Sequence, residues 1–149
     1  MKIYYETEEE IRTLVESFEA CSFHPSEFRH YQHLTVALWY VRHLPFAAAT
    51  ERVTSGIRRL AETYGKTGYH ETITLFWLRV VAAFADEHGT LTLPALANAL
   101  IDECADKNFI GRHYSADLLA SAKAKAEWVE PDLQPLPEVS IHHVESGVI

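Results

Sequence analysis

Two stretches of the sequence carry imidazole and carboxylate side chains at the expected starts of apolar helices. The first, "SEFRHYQHLTVALWY", contains Glu27, His30 and His33, each three residues from the next. The second, "GYHETIT", contains the adjacent pair His70 and Glu71. Neutral imidazoles and carboxylates are the ligands that Zn²⁺, Fe²⁺ and Mn²⁺ take in catalytic sites. Both stretches are therefore candidates for the chemistry of a divalent transition metal.

Helical periodicity directs these side chains toward the interior. At about 100° per residue, His30 falls within the apolar stripe of its helix, with Glu27 beside it and His33 at its margin. His70 falls on the inward stripe of a later helix, and Glu71 flanks it. Since residues three apart on a helix can supply two ligands from one face, we expect a mononuclear site of His30, His33 and His70. Glu27 or Glu71 would be the fourth ligand or the base, and we assign Glu27 as ligand and Glu71 as general base.

The pattern around these stretches predicts an all-α, single-domain bundle of about six helices. Thr7 with Glu10 matches a capping box, and Gly65 suits the end of a helix. We expect helices at about residues 7–21, 25–41, 45–64, 69–88, 92–104 and 115–129, with the segment 105–115 as a loop. The bundle would thus occupy residues 1–129. The three prolines of "EPDLQPLPEVS" predict an extended tail over residues 130–149, in which "VSIHHVESGVI" is either a short strand or disordered.

The order of the helices suggests how the two stretches meet. If neighbouring helices run up and down in turn, the second and fourth helices are parallel and begin at the same end of the bundle. The fifth helix ends there too, so its exit loop brings Arg112, His113 and Tyr114 to the rim. We expect Arg112 and Tyr114 to contact a substrate, with an anion favoured by the guanidinium.

Composition restricts the partners and the compartment. Thirteen basic against 21 acidic residues give a net charge of −8, which disfavours nucleic acid and anionic membranes because phosphate binding needs clustered Lys and Arg. Arg79 interrupts the longest apolar run, "ITLFWLRVVAAFA", and the acidic amino terminus lacks the apolar core of a secretion signal. Two cysteines are too few for a disulfide framework. These features predict a cytoplasmic protein.

Three functional hypotheses follow from the residues. The first is a metal-binding protein, with hydrolytic or oxidative activity if it is an enzyme. The second is a metal-free polar pocket that binds a small ligand or transfers protons. The third is a non-enzymatic helical module whose grooves bind a protein partner or a second copy of the chain, with the His and Glu residues forming a structural network. The sequence contains no GxSxG, Walker-type, dinucleotide-binding or HExxH motif, which weakens those enzyme classes.

Four segments resemble one group of proteins. "HYQHLTVALWYVR", "GYHETITLFWLRVVA", "RHYS" and "WVEPDLQPLP" are similar to segments of small bacterial helical proteins that carry an HxxHL motif and a later YHET-T motif. The resemblance covers about residues 24 to 137. It implies a shared fold and points to His30, His33, His70 and Glu71, and it implies nothing about activity.

Overall fold

The computed structural model describes residues 2–136, and all of its regular structure there is helical. The α-helices are α1 Glu8–Glu19, α2 His30–His43, α3 Phe46–Thr63, α4 Glu71–Glu87, α5 Leu93–Glu103, α6 Ala116–Leu119 and α7 Ala122–Ala126. Two 3₁₀ helices cover Pro25–Glu27 and Lys107–Arg112. The predicted all-α fold is confirmed. In this described part of the chain, no helix is long and apolar enough to cross a membrane.

Local sequence features fix several helix ends as expected. Thr7 Oγ1 accepts the amide of Glu10 at 3.2 Å, and Glu10 Oε1 accepts the amide of Thr7 at 3.1 Å, which completes a capping box at the start of α1. Gly65 has a φ of 67°, the left-handed conformation that glycine adopts without strain. It allows the Lys66 amide to reach the carbonyl of Ala61 at 2.8 Å and so ends α3.

Helix α2 lies at the centre of the bundle. It packs against α1, α3, α4 and α5. Five consecutive residues of α2, from Leu34 to Leu38, are buried. Consecutive residues of a helix point in different directions, so this run shows that α2 is covered on all sides. The amphipathic helices α1 and α3 each bury a single face against it.

Helices α2 and α4 run in the same direction, as the alternating order predicts. His30 at the start of α2 lies against Trp77 in the second turn of α4, with ring centroids 4.7 Å apart. Val41 and Ala85, near the far ends of the same helices, line one groove. The two helix starts therefore lie toward one end of the bundle and the two helix ends toward the other.

The predicted start of the second helix at Pro25 is wrong. The helical turn Pro25–Glu27 ends at Phe28, and Arg29 is extended before α2 begins. Phe28 is only 6% exposed, and its ring stacks on Phe18 at 5.2 Å and on Phe23 at 5.3 Å. We attribute the break to this aromatic packing, which draws Phe28 into the core at the expense of helical continuity.

The carboxyl-terminal half also differs from the prediction. The single helix expected over residues 115–129 is two short helices, because Ser121 Oγ accepts the amide of Ala124 at 3.1 Å and caps a new start. Most of the expected loop at 105–115 is the 3₁₀ helix Lys107–Arg112. Residues 130–136 are not helical, as expected. The predicted strand or disorder in "VSIHHVESGVI" lies outside the described residues.

A second, smaller apolar cluster joins this half to the bundle. Its buried members are Phe76 of α4, Ile110 of the 3₁₀ helix and Tyr114. Trp128, among others, packs on them from the chain that follows α7. Phe76 and Trp77 are neighbours on α4, and Trp77 lies against His30. The cluster therefore lies close to His30.

Candidate functional site

The start of α2 brings His30 and His33 together. His30 Nε2 donates a hydrogen bond to the carbonyl of Cys104 at 2.9 Å, which ties α2 to the end of α5. The His33 ring lies on the Phe28 ring, with centroids 3.9 Å apart. His33 is partly buried and His30 is half-buried. The i, i+3 pair that the sequence predicts is therefore present at this end of the bundle.

Burial keeps both of these imidazoles neutral. Burial, with a smaller contribution from the nearby His30, lowers the pKa of His33 to about 4, while a hydrogen bond with the Phe28 backbone opposes the change. Burial also lowers the pKa of His30, against the opposing effect of its bond to Cys104. Neutral imidazole is the form that binds a metal or accepts a proton, so the pair retains that chemical capacity.

His70 caps the start of α4 and bonds to a carbonyl far along the chain. It precedes α4 in an extended conformation and is the residue that caps the helix. Its Nδ1 accepts the amide of Ile73 at 3.1 Å, and its Nε2 donates to the carbonyl of Leu119 at 2.7 Å. Because an amide only donates and a carbonyl only accepts, these two bonds fix the tautomer and engage both ring nitrogens.

Glu71, the predicted base, is held by side chains of two other positions. Its Oε1 accepts hydrogen bonds from Arg58 Nη2 at 2.8 Å and from the Tyr69 hydroxyl at 2.6 Å. The Arg58 guanidinium also lies over the Tyr69 ring, 4.9 Å from its centroid. Burial and the bond to Glu71 raise the pKa of Tyr69, so the phenol remains a donor. The carboxylate of Glu71 thus joins α3 to the start of α4.

Glu27 does not share a helical face with His30. The break at Phe28 and Arg29 separates them, so the Glu27-x-x-His30 pair on one helix is a wrong prediction. Glu27 is exposed, and its carboxylate accepts the amide of His24 at 3.0 Å. This bond caps the start of the first 3₁₀ helix.

The two predicted substrate contacts lie in different environments. Arg112 is exposed, and its guanidinium lies 5.1 Å from the centroid of the Phe109 ring. Tyr114 is 1% exposed, and its hydroxyl donates to the carbonyl of Val129 at 2.7 Å. Burial raises the pKa of Tyr114 to about 12. Tyr114 therefore contacts this chain's own backbone, and only Arg112 is open to solvent.

These geometries do not assemble a metal centre from the predicted ligands. Over residues 2–136, the structure brings together no group of three or more His, Cys, Asp or Glu side chains that could hold a metal ion. His30 and His33 lie side by side, while His70 and Glu71 have partners on other elements. A metal on His30, His33, His70 and Glu27 stays a prediction.

Two buried polar side chains that are not among the predicted site residues hold extended chain segments. Asn98 of α5 is 5% exposed; its Oδ1 accepts the amide of Tyr5 at 3.1 Å and its Nδ2 donates to the carbonyl of Tyr5 at 2.8 Å. Thr72 of α4 is fully buried and donates to the carbonyl of Glu127 at 2.8 Å. A polar residue among apolar neighbours, as in "LANALI", is the feature that could have indicated Asn98.

Comparison of the sequence with protein-family models and curated proteins, and of the fold with solved structures, found no match. The membership suggested by the HxxHL and YHET-T motifs therefore stays a prediction.

Proposed function

We propose that this chain is a non-enzymatic helical module that binds a protein partner, and that its inward histidines and Glu71 form a structural polar network. The observation that carries the proposal is the bonding of His70, whose two ring nitrogens are occupied by the Ile73 amide and the Leu119 carbonyl. One imidazole thereby caps α4 and fastens it to α6.

The same kind of bridging supports a structural role for the other members. His30 links α2 to the carbonyl of Cys104, the residue directly after α5. Glu71 links α4 to α3 through Arg58. For His70 to bind a metal, either the Ile73 amide or the Leu119 carbonyl would lose its partner. An unpaired buried backbone group costs about 1–3 kcal/mol, which opposes recruitment of this ring.

The size of one groove favours a side chain of a protein partner over a small substrate there. The groove between the ends of α2 and α4 has a volume of about 160 Å³ and is lined by side chains such as Val41, Phe46 and Ala85. Pockets for small molecules typically enclose about 300–1,000 Å³. A groove of this size accommodates one side chain of a partner.

Metal content and the stability of His70 variants test the proposal. Protein purified without a histidine tag should contain far less than one equivalent of transition metal, and a chelator should leave its melting temperature unchanged. His70→Ala should lower the free energy of unfolding by about 2 kcal/mol, because the α4 cap and the bond to Leu119 are both lost. Hydrogen exchange should quicken in α6. His43→Ala, at an exposed position on α2, is the matched control.

Stoichiometric metal that disappears in His70→Ala but stays in His43→Ala would overturn the proposal and restore the metal site. An equal loss in the free energy of unfolding in the two variants would show that the hydrogen bonds of His70 do not stabilise the fold more than the exposed His43 does.

A further inference from the structure

The chain that follows α7, residues 127–136, crosses the second apolar cluster and is called the strap here. It is not helical, and it contains Pro131 and Pro135. The surface beneath it consists of Thr72, Phe76, His113 and Tyr114, which we call the strap site. Thr72, Phe76 and Tyr114 are at most 1% exposed, and His113 is 5% exposed.

The strap site holds the strap mainly through hydrogen bonds to the backbone of the strap. Thr72 Oγ1 donates to the Glu127 carbonyl at 2.8 Å and accepts the Val129 amide at 3.3 Å. The Tyr114 hydroxyl donates to the Val129 carbonyl at 2.7 Å. His113 contributes twice: Nδ1 donates to the Gln134 carbonyl at 3.1 Å, and its own carbonyl accepts the Leu133 amide at 2.9 Å.

Apolar side chains of the strap fill the remaining surface. Trp128 packs edge-on against Tyr114, with centroids 6.2 Å apart, and the Arg79 guanidinium covers its ring at 4.7 Å. Val129 and Leu136 pack on the cluster around Phe76. Main-chain hydrogen bonds combined with pockets for selected side chains are how proteins recognise an extended peptide in trans.

One polar contact closes the strap over this site. Asp132 accepts the Ser115 amide at 2.8 Å and the Ser115 hydroxyl at 2.6 Å. These two bonds lower the pKa of Asp132, so the carboxylate stays ionised and bound at neutral pH. Loss of this contact frees the middle of the strap without changing any residue of the strap site.

We propose that the strap site is a peptide-binding site that also accepts the strap of a second copy of this chain, so that two chains associate by exchanging residues 127–136. The proposal goes beyond the proposed function: it adds a second surface, apart from the groove between the ends of α2 and α4, and names the partner of that surface. The strap is the one sequence whose fit to this site the structure displays, and the bonded backbone atoms are the same whichever chain supplies them. Pro131 and Pro135 restrict the free strap and reduce the entropy lost on docking.

Each strap site can be occupied by the strap of its own chain or by that of a second copy, and the covalent link favours its own. A tethered segment has an effective concentration in the millimolar range, so the chain's own strap prevails in dilute protein. A second copy competes at high protein concentration or when contacts within the chain are weakened. The turn into the strap is at Glu127, where the backbone leaves α7 in an extended conformation.

The test uses the whole chain and a labelled peptide with the sequence "EWVEPDLQPL". The full-length variant Trp128→Ala/Asp132→Asn weakens the chain's own strap and leaves the strap site intact, and Asp132→Asn alone is a milder version. Fluorescence anisotropy should show at least tenfold tighter peptide binding to the double variant than to the unchanged chain. Adding Tyr114→Phe should weaken that binding about fivefold, the equivalent of one net hydrogen bond. A scrambled peptide should not bind.

Sedimentation of the unchanged chain over a range of concentrations tests the exchange itself. A dimer should form as the concentration rises, and excess peptide should dissociate it. Failure of the peptide to bind variants whose strap exchanges hydrogen rapidly would overturn the proposal. A chain that stays monomeric, or a dimer that persists in excess peptide, would overturn strap exchange. Metal content and the His70 variants, which test the proposed function, do not depend on either result.

Discussion

Lowering the pH should destabilise this protein through His33. Burial lowers the pKa of His33 from 6.5 to about 4, so the unfolded chain binds a proton at this position more tightly than the folded chain does. The stability contributed by the neutral ring is therefore complete above pH 6.5 and is lost as the pH falls toward 4. From pH 7.5 to 5, this one group removes at most about 2 kcal/mol from the free energy of unfolding. His30, whose pKa is also lowered, adds a loss of the same sign.

Urea denaturation at both pH values, for the unchanged chain and for His33→Gln, measures this contribution. The variant starts less stable, but its stability should fall by up to about 2 kcal/mol less between the two pH values. His43→Gln, at an exposed position of α2, should keep the full pH dependence. An equal pH dependence in the unchanged chain and His33→Gln would refute the reasoning, as would a His33 ring that titrates near pH 6.5 by NMR in the folded protein.

Three substitutions test other contacts. Asn98→Ala should lower the free energy of unfolding by about 2–3 kcal/mol in urea, because both backbone groups of Tyr5 lose their partner; a loss below that range would show that water replaces the amide. Gly56→Ala should cost about 1–3 kcal/mol, since the added Cβ overlaps the Phe18 ring; a thermal melt that does not shift would show that the ring moves at no cost. Thr72→Val should quicken amide hydrogen exchange in the strap and lower the free energy of unfolding by about 1–2 kcal/mol. Unchanged exchange would show that the Thr72 bonds do not hold the strap.

The parts of the fold that depend on local chemistry could be predicted from the sequence. The Thr7 capping box and the left-handed Gly65 act within one helical turn, so their positions follow from neighbouring residues. The break at Phe28 could not be predicted, because it depends on Phe18 and Phe23 supplying an aromatic pocket. A proline at the first turn indicates a helix start but not how far that helix continues.

How fully each helix is buried could be predicted less well from the sequence. The longest apolar run of the sequence, "ITLFWLRVVAAFA", lies in α4, yet the run of five consecutive buried residues is in α2. Thr35 within that run is fully buried because its hydroxyl donates to the Tyr31 carbonyl of its own helix at 2.8 Å. A polar residue that satisfies itself in this way interrupts the apolar pattern without marking an exposed face.

The candidate site shows why a histidine at a helix start is ambiguous in sequence. The imidazole of His70 could serve as a ligand or as a cap, and "GYHETIT" is compatible with both. What distinguishes them is the second ring nitrogen, which donates to Leu119, 49 residues away along the chain. The residue that supplies this carbonyl is set by the split between α6 and α7, and that split depends in turn on the Ser121 cap. Backbone carbonyls have no side-chain identity, so no residue type in the sequence could have indicated this partner. The hydrogen bonds of His70 therefore depend on the path of the distant chain; they support the proposed structural role, and the metal content of the protein tests the ligand hypothesis.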